Sequence, residues 1–328
     1  MTEKNVVTAI HDALHDEMAG DERLVVLGED IAARGGVFRI TQGFLDEFGE
    51  RRVIDTPLAE SMIVGLAIGM SLHGLLPIAE IEFADFIHPA FDQLLSEASR
   101  MRYRTNGDFG LPMVVRVPWG GGIHGALYHS QSIEAFYGHI PGLKVVVPST
   151  PYDAAGMLRS AIRDPDPVMF LEHKKTYRLV KGDVPDEPYT VPIGPADVKR
   201  EGEDLTVVAY GLMLHQCLEA AARLEQETGT RAEVVDVRTI APLDTDTILA
   251  SVRKTGKAMV VYEDNRTYGA GAEIAATIAE EAMFDLDGPI VRLGGPDVPA
   301  MGFAASLEHA FMPDTDRVYE RMLELARF

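Results

Sequence analysis

The sequence predicts an α/β protein of two domains, each built on a mainly parallel sheet flanked by helices. Three observations point there. Short runs of Val, Ile and Leu alternate with segments of helical period. Two such series stand on either side of a proline-rich stretch with little apolar periodicity. The 328 residues, 46% hydrophobic and 25% charged, suffice for two ordinary cores. Strands covered on both faces read as continuous apolar runs, which favours parallel pairing.

In the first series, strands are expected at 24–27, 113–117, 144–147 and 168–171. A helix is expected over 61–72, with His73-Gly74 as its stop. Gly65 and Gly69 lie one turn apart on it and would admit an unusually close neighbour at some cost in helix propensity. From 86 to 103, Ile87, Ala90, Phe91, Leu94, Leu95, Ala98 and Met101 fall on one stripe of an amphipathic helix. The second series carries expected strands at 205–210, 232–237 and 258–262. Between the two, Pro185, Pro188, Pro192 and Pro195 mark the boundary. The division is therefore a first domain over 1–181, a linker over 182–202 and a second domain over 203–328.

Composition narrows the functional classes. The longest apolar stretch, 62–72, falls well short of the roughly 20 residues that cross a bilayer, so no membrane helix is expected. A formal charge of −21 would repel both nucleic-acid phosphates and anionic membranes, so neither is an expected partner. The 51 acidic residues are scattered among 30 basic ones, as on a solvated surface. A single cysteine, Cys217, leaves no internal disulfide and no Cys-pair metal motif. The N-terminal segment has the pattern of neither a secretory signal nor a transit peptide, which points to the cytoplasm.

Three motifs could carry chemistry. In Asp55-Thr56-Pro57-Leu58-Ala59-Glu60, Thr56 reads as a helix cap and Pro57 as the first helical position, placing Glu60 in the first turn. The helix dipole alone would account for a carboxylate there. The segment from Gly120 to Gln131 is a glycine-rich loop after a strand, suited to sharp turns or close approach to a ligand. It lacks the Lys-Ser/Thr ending of a P-loop and the full dinucleotide fingerprint. Its His124 and His129 have no third convergent ligand type for zinc, whereas one of them could act on a substrate proton. The third motif, Tyr268-Gly269-Ala270-Gly271-Ala272-Glu273, has the wrong spacing for a nucleotide turn and reads as close helix packing.

Taken together, LGED, GGVFRIT, DTPLAES with IVGLAIGM, AEIEFADF, PAFDQ, MRYRTNG, LYHSQS, PGLKVVVPSTPYDA, AIRDPDPV and GAEIAATI, in that order, resemble a known family. It is the beta subunit of the thiamine diphosphate-dependent decarboxylase of 2-oxo acid dehydrogenase complexes, within the transketolase-like superfamily. The likeness runs from about residue 5 to the end of the chain. It implies a pyrimidine-binding transketolase-like domain followed by a transketolase C-terminal-type domain. The family's alpha subunit grips the cofactor diphosphate through magnesium with a Gly-Asp-Gly motif, and this chain has none. The resemblance therefore implies a thiamine diphosphate site shared with an alpha subunit in an α2β2 heterotetramer.

By the same resemblance, Glu60 hydrogen-bonds the aminopyrimidine ring nitrogen and favours the tautomer that can take up the thiazolium proton. Phe86 packs on the pyrimidine, and Glu29 is an acidic residue near the same ring. His129 assists acyl transfer to lipoamide, a step imidazole can serve near neutral pH. A potassium site falls on Met113, Ala161, Ile162, Asp164 and Asp166. The implied reaction is oxidative decarboxylation of a 2-oxo acid with acyl transfer to a lipoyl acyltransferase core. PWG and HGALYHSQS lean slightly toward branched-chain acids, while STPYDAAG and IRDPDPV also suit pyruvate. The alternatives are an acetoin dehydrogenase beta subunit, a split transketolase half, or a non-catalytic assembly subunit of the same fold; retention of Glu60 and His129 argues against the last.

Overall fold

The computed structural model describes residues 1–328. Contacts divide them into two compact units, Met1–Trp119 with Phe136–Ile193, and Gly120–Ala135 with Gly194–Phe328.

The first unit carries β1 (Thr2–Asn5), β2 (Leu24–Gly28), β3 (Val53–Asp55), β4 (Leu76–Glu80), β5 (Val114–Trp119), β6 (Lys144–Val146), β7 (Val168–His173) and β8 (Lys181–Val184). Strands β6-β7-β5-β4-β2-β3 neighbour one another in that order, and every pair among them is parallel. Strands β1 and β8 form a separate antiparallel ribbon. The register aligns Gly28 with both Asp55 and Glu80, so the chain leaves β2, β3 and β4 at one edge of the sheet. Ligands of open α/β sheets bind at that carboxyl edge. A Cβ on Gly28 would lie 2.6 Å from the Glu80 carbonyl oxygen, so glycine lets the two strand ends close up.

The helices Val6–Gly20 and Pro151–Ile162 supply much of the core, with Ile10, Leu14, Met18 and Leu158 buried together with Val26, Phe44 and Phe170. Both start where the sequence provides a cap. The Asn5 side chain accepts from Thr8 N at 2.8 Å, and Thr150 from Asp153 N at 3.1 Å, with Pro151 next. Beneath the carboxyl edge, Arg116 is buried between two carboxylates. It donates to Glu80 at 2.6 Å and to both oxygens of Glu172 at 2.7 and 2.8 Å.

Several expectations are corrected here. The helix after Asp55 starts at Glu60, with Ala59 at its cap position and no side-chain cap bond; Thr56 instead follows β3 and donates its N–H to Gly28 O at 2.9 Å. On that helix a Cβ on Gly69 would meet nothing within 4 Å, and one on Gly65 only Gln93 at 3.9 Å, so no close neighbour within this chain occupies the glycine face. The stripe from 86 to 103 buries Ile87, Ala90, Leu94, Ala98 and Met101, yet it is not one α-helix. It runs through 3₁₀ turns at Ala84–Phe86 and His88–Ala90, a π-helix at Gln93–Ala98 and a short α-turn at Met101–Arg104. Pro89 has no N–H to give, which breaks the ladder at its start.

The second unit contains β9 (Asp197–Arg200), β10 (Leu205–Ala209), β11 (Ala232–Asp236), β12 (Thr239–Ala241), β13 (Ala258–Asn265) and β14 (Val291–Gly295). Its sheet runs β14-β13-β10-β11-β9, parallel except for the β9 edge. Helix Leu212–Thr228 ends on left-handed Gly229, and Thr245–Thr255 begins on Asp244 and ends on left-handed Gly256. Leu214, Cys217, Leu224, Val234, Met259, Val318 and Met322 lie in its core. The stretch expected as a linker is thus divided between the units: Val184 and Val191 are buried in the first core and β9 completes the second sheet. The glycine loop from Gly120 to Ala135 belongs to the second unit, although its sequence neighbours belong to the first. No helix is long and apolar enough to cross a membrane.

Candidate active site

At the carboxyl edge of the first sheet, the segments after β2 and β3 bring Glu29 and Glu60 within reach of each other's charge, and Phe86 follows β4 at the same edge. Glu29 directly follows β2, and its loop is fixed by Asp55 at the end of β3, whose carboxylate accepts from Ala32 N at 2.7 Å. Burial, then the charges of Glu60, Glu82 and Asp30, push the Glu29 carboxyl up to about 7. Its Oε1 is buried with no hydrogen-bond partner in the chain. Glu60 opens its helix and is 8% exposed. Phe86 ends the 3₁₀ turn after β4, half-buried and set edge-on to Phe83 at 5.8 Å between ring centres.

Two neighbouring carboxyls, one with an unpartnered oxygen, at a strand edge that also carries an aromatic side chain can take a flat heterocycle that offers both donors and acceptors. The residues present therefore fit an aminopyrimidine ring. Glu82 was not singled out from the sequence, and Thr56 was named there only as a helix cap. Glu82 contributes to the raised Glu29 carboxyl, and Thr56 Oγ1 is buried without a partner. The sequence signal that would have marked Glu82 is its place two residues beyond a strand end.

The carboxylates among the residues expected to hold potassium already have cationic partners within the chain. Asp164 is already paired with Lys144 Nζ at 2.7 and 2.6 Å, and Asp166 with Arg102 Nε at 2.6 Å. The Met113 carbonyl accepts from Val168 N at 3.0 Å, and the Ala161 carbonyl from Asp164 N at 3.3 Å. Ile162 ends the helix Pro151–Ile162. Elsewhere, no group of three or more His, Cys, Asp and Glu side chains is arranged to hold a metal ion.

His129 lies in the second unit, half-buried, just after a 3₁₀ turn at Ala126–Tyr128. Around it the chain is held by residues far away in sequence. Glu263 accepts from Gly121 N and from Ser132 Oγ, the latter at 3.4 Å. Glu308 accepts from Gly122 N and His124 N, each at 3.0 Å, and pairs with His124 Nδ1 at 2.8 Å. At the far end, the wholly buried Glu134 accepts from the Tyr210 hydroxyl at 2.8 Å. Burial, then the charge of Asp264, holds the Glu134 carboxyl well above the usual range. None of these anchors was named from the sequence. The glycine cluster at 268–273 is a packing feature: a Cβ on Gly271 would lie 2.1 Å from the Tyr262 ring, and one on Gly269 2.7 Å.

Comparison with known proteins extends this picture to the whole chain. Residues 2–180 match the family described as "Transketolase, pyrimidine binding domain", and residues 194–318 match "Transketolase, C-terminal domain". The chain is 54% identical to the 2-oxoisovalerate dehydrogenase subunit beta of Bacillus subtilis (strain 168), over 100% of both chains. It is 47% identical to the pyruvate dehydrogenase E1 component subunit beta of the same organism, again over 100% of both. Among solved structures, a split gene transketolase described as an inactive beta4 tetramer matches with a TM-score of 0.77 and 24% identity, over 98% of each chain. That likeness speaks to the fold alone.

Proposed function

Given that the chain belongs to the transketolase-like family of 2-oxo acid dehydrogenase beta subunits, we propose that Glu60, Glu29 and Phe86 form its half of a thiamine diphosphate site, acting on a branched-chain 2-oxo acid. The chain is one subunit of an acyl-transferring, lipoamide-dependent enzyme; it binds thiamine diphosphate and works with an alpha subunit. The observation that carries the site reading is the raised, partly unpartnered carboxyl of Glu29 next to Glu60.

When bound, thiamine diphosphate supplies the nucleophilic carbon and the electron sink that decarboxylation needs. Glu60 offers its carboxyl to the aminopyrimidine ring nitrogen and holds the tautomer whose exocyclic nitrogen can accept a proton. Glu29, protonated over much of the range below 7, limits the negative charge gathered around Glu60. Phe86 gives the ring an apolar face. His129 positions or donates a proton at the lipoamide sulfur during acyl transfer. Magnesium, in this reading, is held with the cofactor diphosphate by the alpha subunit. The potassium assignment is carried no further, since its carboxylates already have cations.

The assembly we propose is an α2β2 heterotetramer that hands its acyl group to a lipoyl acyltransferase core. We place it in the cytoplasm, where a single buried thiol such as Cys217 stays reduced. The branched-chain assignment rests on the higher identity, 54% against 47%. Co-expression with the alpha subunit tests it, by comparing turnover of 2-oxoisovalerate, pyruvate and acetoin. A kcat/KM for 2-oxoisovalerate at least about tenfold above pyruvate is expected, a difference of roughly 1.4 kcal/mol in transition-state binding. Preference for pyruvate or acetoin would overturn the substrate assignment and leave the Glu60 site in place.

A further inference from the structure

The loop that bears His129 has a backbone that would not hold its shape unaided. Gly120 and Gly122 have φ of 81° and 80°, and two residues with side chains, His124 and Ala126, sit at 57° and 56°. Residues with a Cβ occupy this region sparsely and at some cost, so two of them within three positions ask for supporting contacts. The loop has no strand pairing, and its one regular element is the 3₁₀ turn at Ala126–Tyr128. One backbone bond closes it, Gly120 N donating to the Gln131 carbonyl at 3.0 Å, and side chains from outside the loop supply further holds.

Glu308 makes the most of them. It is 5% exposed, and both of its oxygens face the turn. One accepts from two backbone donors two residues apart, Gly122 N and His124 N, and the other takes His124 Nδ1. Bonds from backbone N–H groups to a buried carboxylate are among the stronger protein hydrogen bonds. The His124 limb counts for less, because that side chain is mostly solvated. Immediately after the turn, a Cβ on Gly125 would lie 2.6 Å from the His129 carbonyl oxygen and 2.8 Å from His129 Cβ. The residue that directly follows the turn held by Glu308 is thus packed against the backbone that presents His129. With both oxygens engaged and almost no exposure, Glu308 is not placed to meet a substrate itself.

We propose that Glu308 is a positioning residue for acyl transfer: by fixing the 122–124 turn it sets the place from which His129 acts. The proposal rests on the transfer role given to His129 above. Glu263, which holds Gly121 N and Ser132 Oγ, closes the two ends of the loop and supports the same arrangement.

The test uses the complete αβ enzyme and four readouts: amide hydrogen exchange across 120–131, acylation of a lipoyl domain, decarboxylation coupled to an artificial electron acceptor, and thiamine diphosphate affinity. For Glu308→Ala, exchange at Gly122 and His124 should rise, and lipoyl acylation should fall, each by about tenfold or more. Decarboxylation with the artificial acceptor and cofactor affinity should stay within about threefold of wild type. Glu308→Gln keeps one acceptor oxygen for the two N–H groups and should recover most of the lost transfer. Unchanged exchange in Glu308→Ala would overturn the proposal, as would equal losses of both activities in the Gln variant, which also decides the matter if the Ala variant does not fold. His129→Ala separates the two readings: if it shows no transfer-specific loss while Glu308→Ala does, the role of His129 fails and the hold of Glu308 on the loop stands.

Discussion

The carboxyl of Glu29 is raised to about 7 by burial first and by the charge of Glu60 second. A carboxyl whose folded value lies above its ordinary 4.5 binds more protons in the native state than in the unfolded one across the interval between them. Its contribution is therefore fully present below about 4.5 and is lost as pH rises to about 7. Glu29→Gln removes the titration, so the stability of the purified chain should fall less than that of wild type over this window. Urea unfolding at several pH values measures it, and parallel curves for the two proteins would refute the coupling.

Glu60 tests the catalytic half of the same pair. Glu60→Gln preserves size and hydrogen-bonding shape but cannot exchange a proton with the pyrimidine ring. The variant should assemble with the alpha subunit and bind the cofactor, yet proton exchange at the thiazolium carbon should slow by about a hundredfold or more, as expected on losing an acid–base group. NMR-monitored exchange after acid quench reads this directly. Exchange at the wild-type rate would remove Glu60 from the mechanism.

How far these features could be read from sequence depended on how local their causes are. Strands β2, β5, β7 and β10 were legible because a strand buried on both faces is dominated by Val, Leu and Met, even where β5 and β7 interrupt the run with the paired charges of Arg116 and Glu172. Strand β9, Asp-Val-Lys-Arg, sits at a sheet edge with every residue half-buried, and so it looked like a linker. Along 86–103 the buried stripe was correct and the helix was not, since a 3.6-residue period does not reveal a π-turn or the donor missing at Pro89. Glu60, His129, Glu29 and Phe86 were named through resemblance; the raised Glu29 carboxyl needed the fold, because it depends on burial and then on the charges of Glu60 and Glu82. Glu308 was invisible, standing 186 residues from the N–H it accepts at Gly122.

Gly271 and Gly69 make a controlled contrast between two helical glycines. Alanine at either should gain roughly 0.5–1 kcal/mol of helix propensity. At Gly271 the new Cβ would fall 2.1 Å from Cε1 of Tyr262, a fully buried ring that also lies against Gly269 and Gly294. Overpacking of that kind costs about 1–3 kcal/mol, so Gly271→Ala should destabilise the chain on balance. At Gly69 nothing lies within 4 Å, and Gly69→Ala should stabilise the isolated beta chain. Denaturant midpoints decide both, and a neutral Gly271→Ala would show that the Tyr262 ring can move aside.

Arg116 offers the sharpest test of the first core. Its guanidinium is 1% exposed and is shared by Glu80 and Glu172, with Tyr177 donating to Glu172 at 2.5 Å. Burial raises the Glu80 carboxyl, while the Arg116 charge works against that rise. In Arg116→Met the side chain keeps much of its bulk, and the two carboxylates lose their buried cation. Breaking a buried pair in this way costs about 3–5 kcal/mol, because the remaining charge stays desolvated. The sign of the pH dependence follows from the same cause. Without Arg116 the Glu80 carboxyl rises further, the native state holds a proton that the unfolded chain gives up, and the deficit grows as pH climbs above the ordinary value of 4.5. Adding Glu80→Gln and Glu172→Gln removes the stranded charges and should recover a large part of the loss. A deficit in Arg116→Met below about 1 kcal/mol, or one that does not change with pH, would mean that water reaches this cluster and that its charges are not buried in solution.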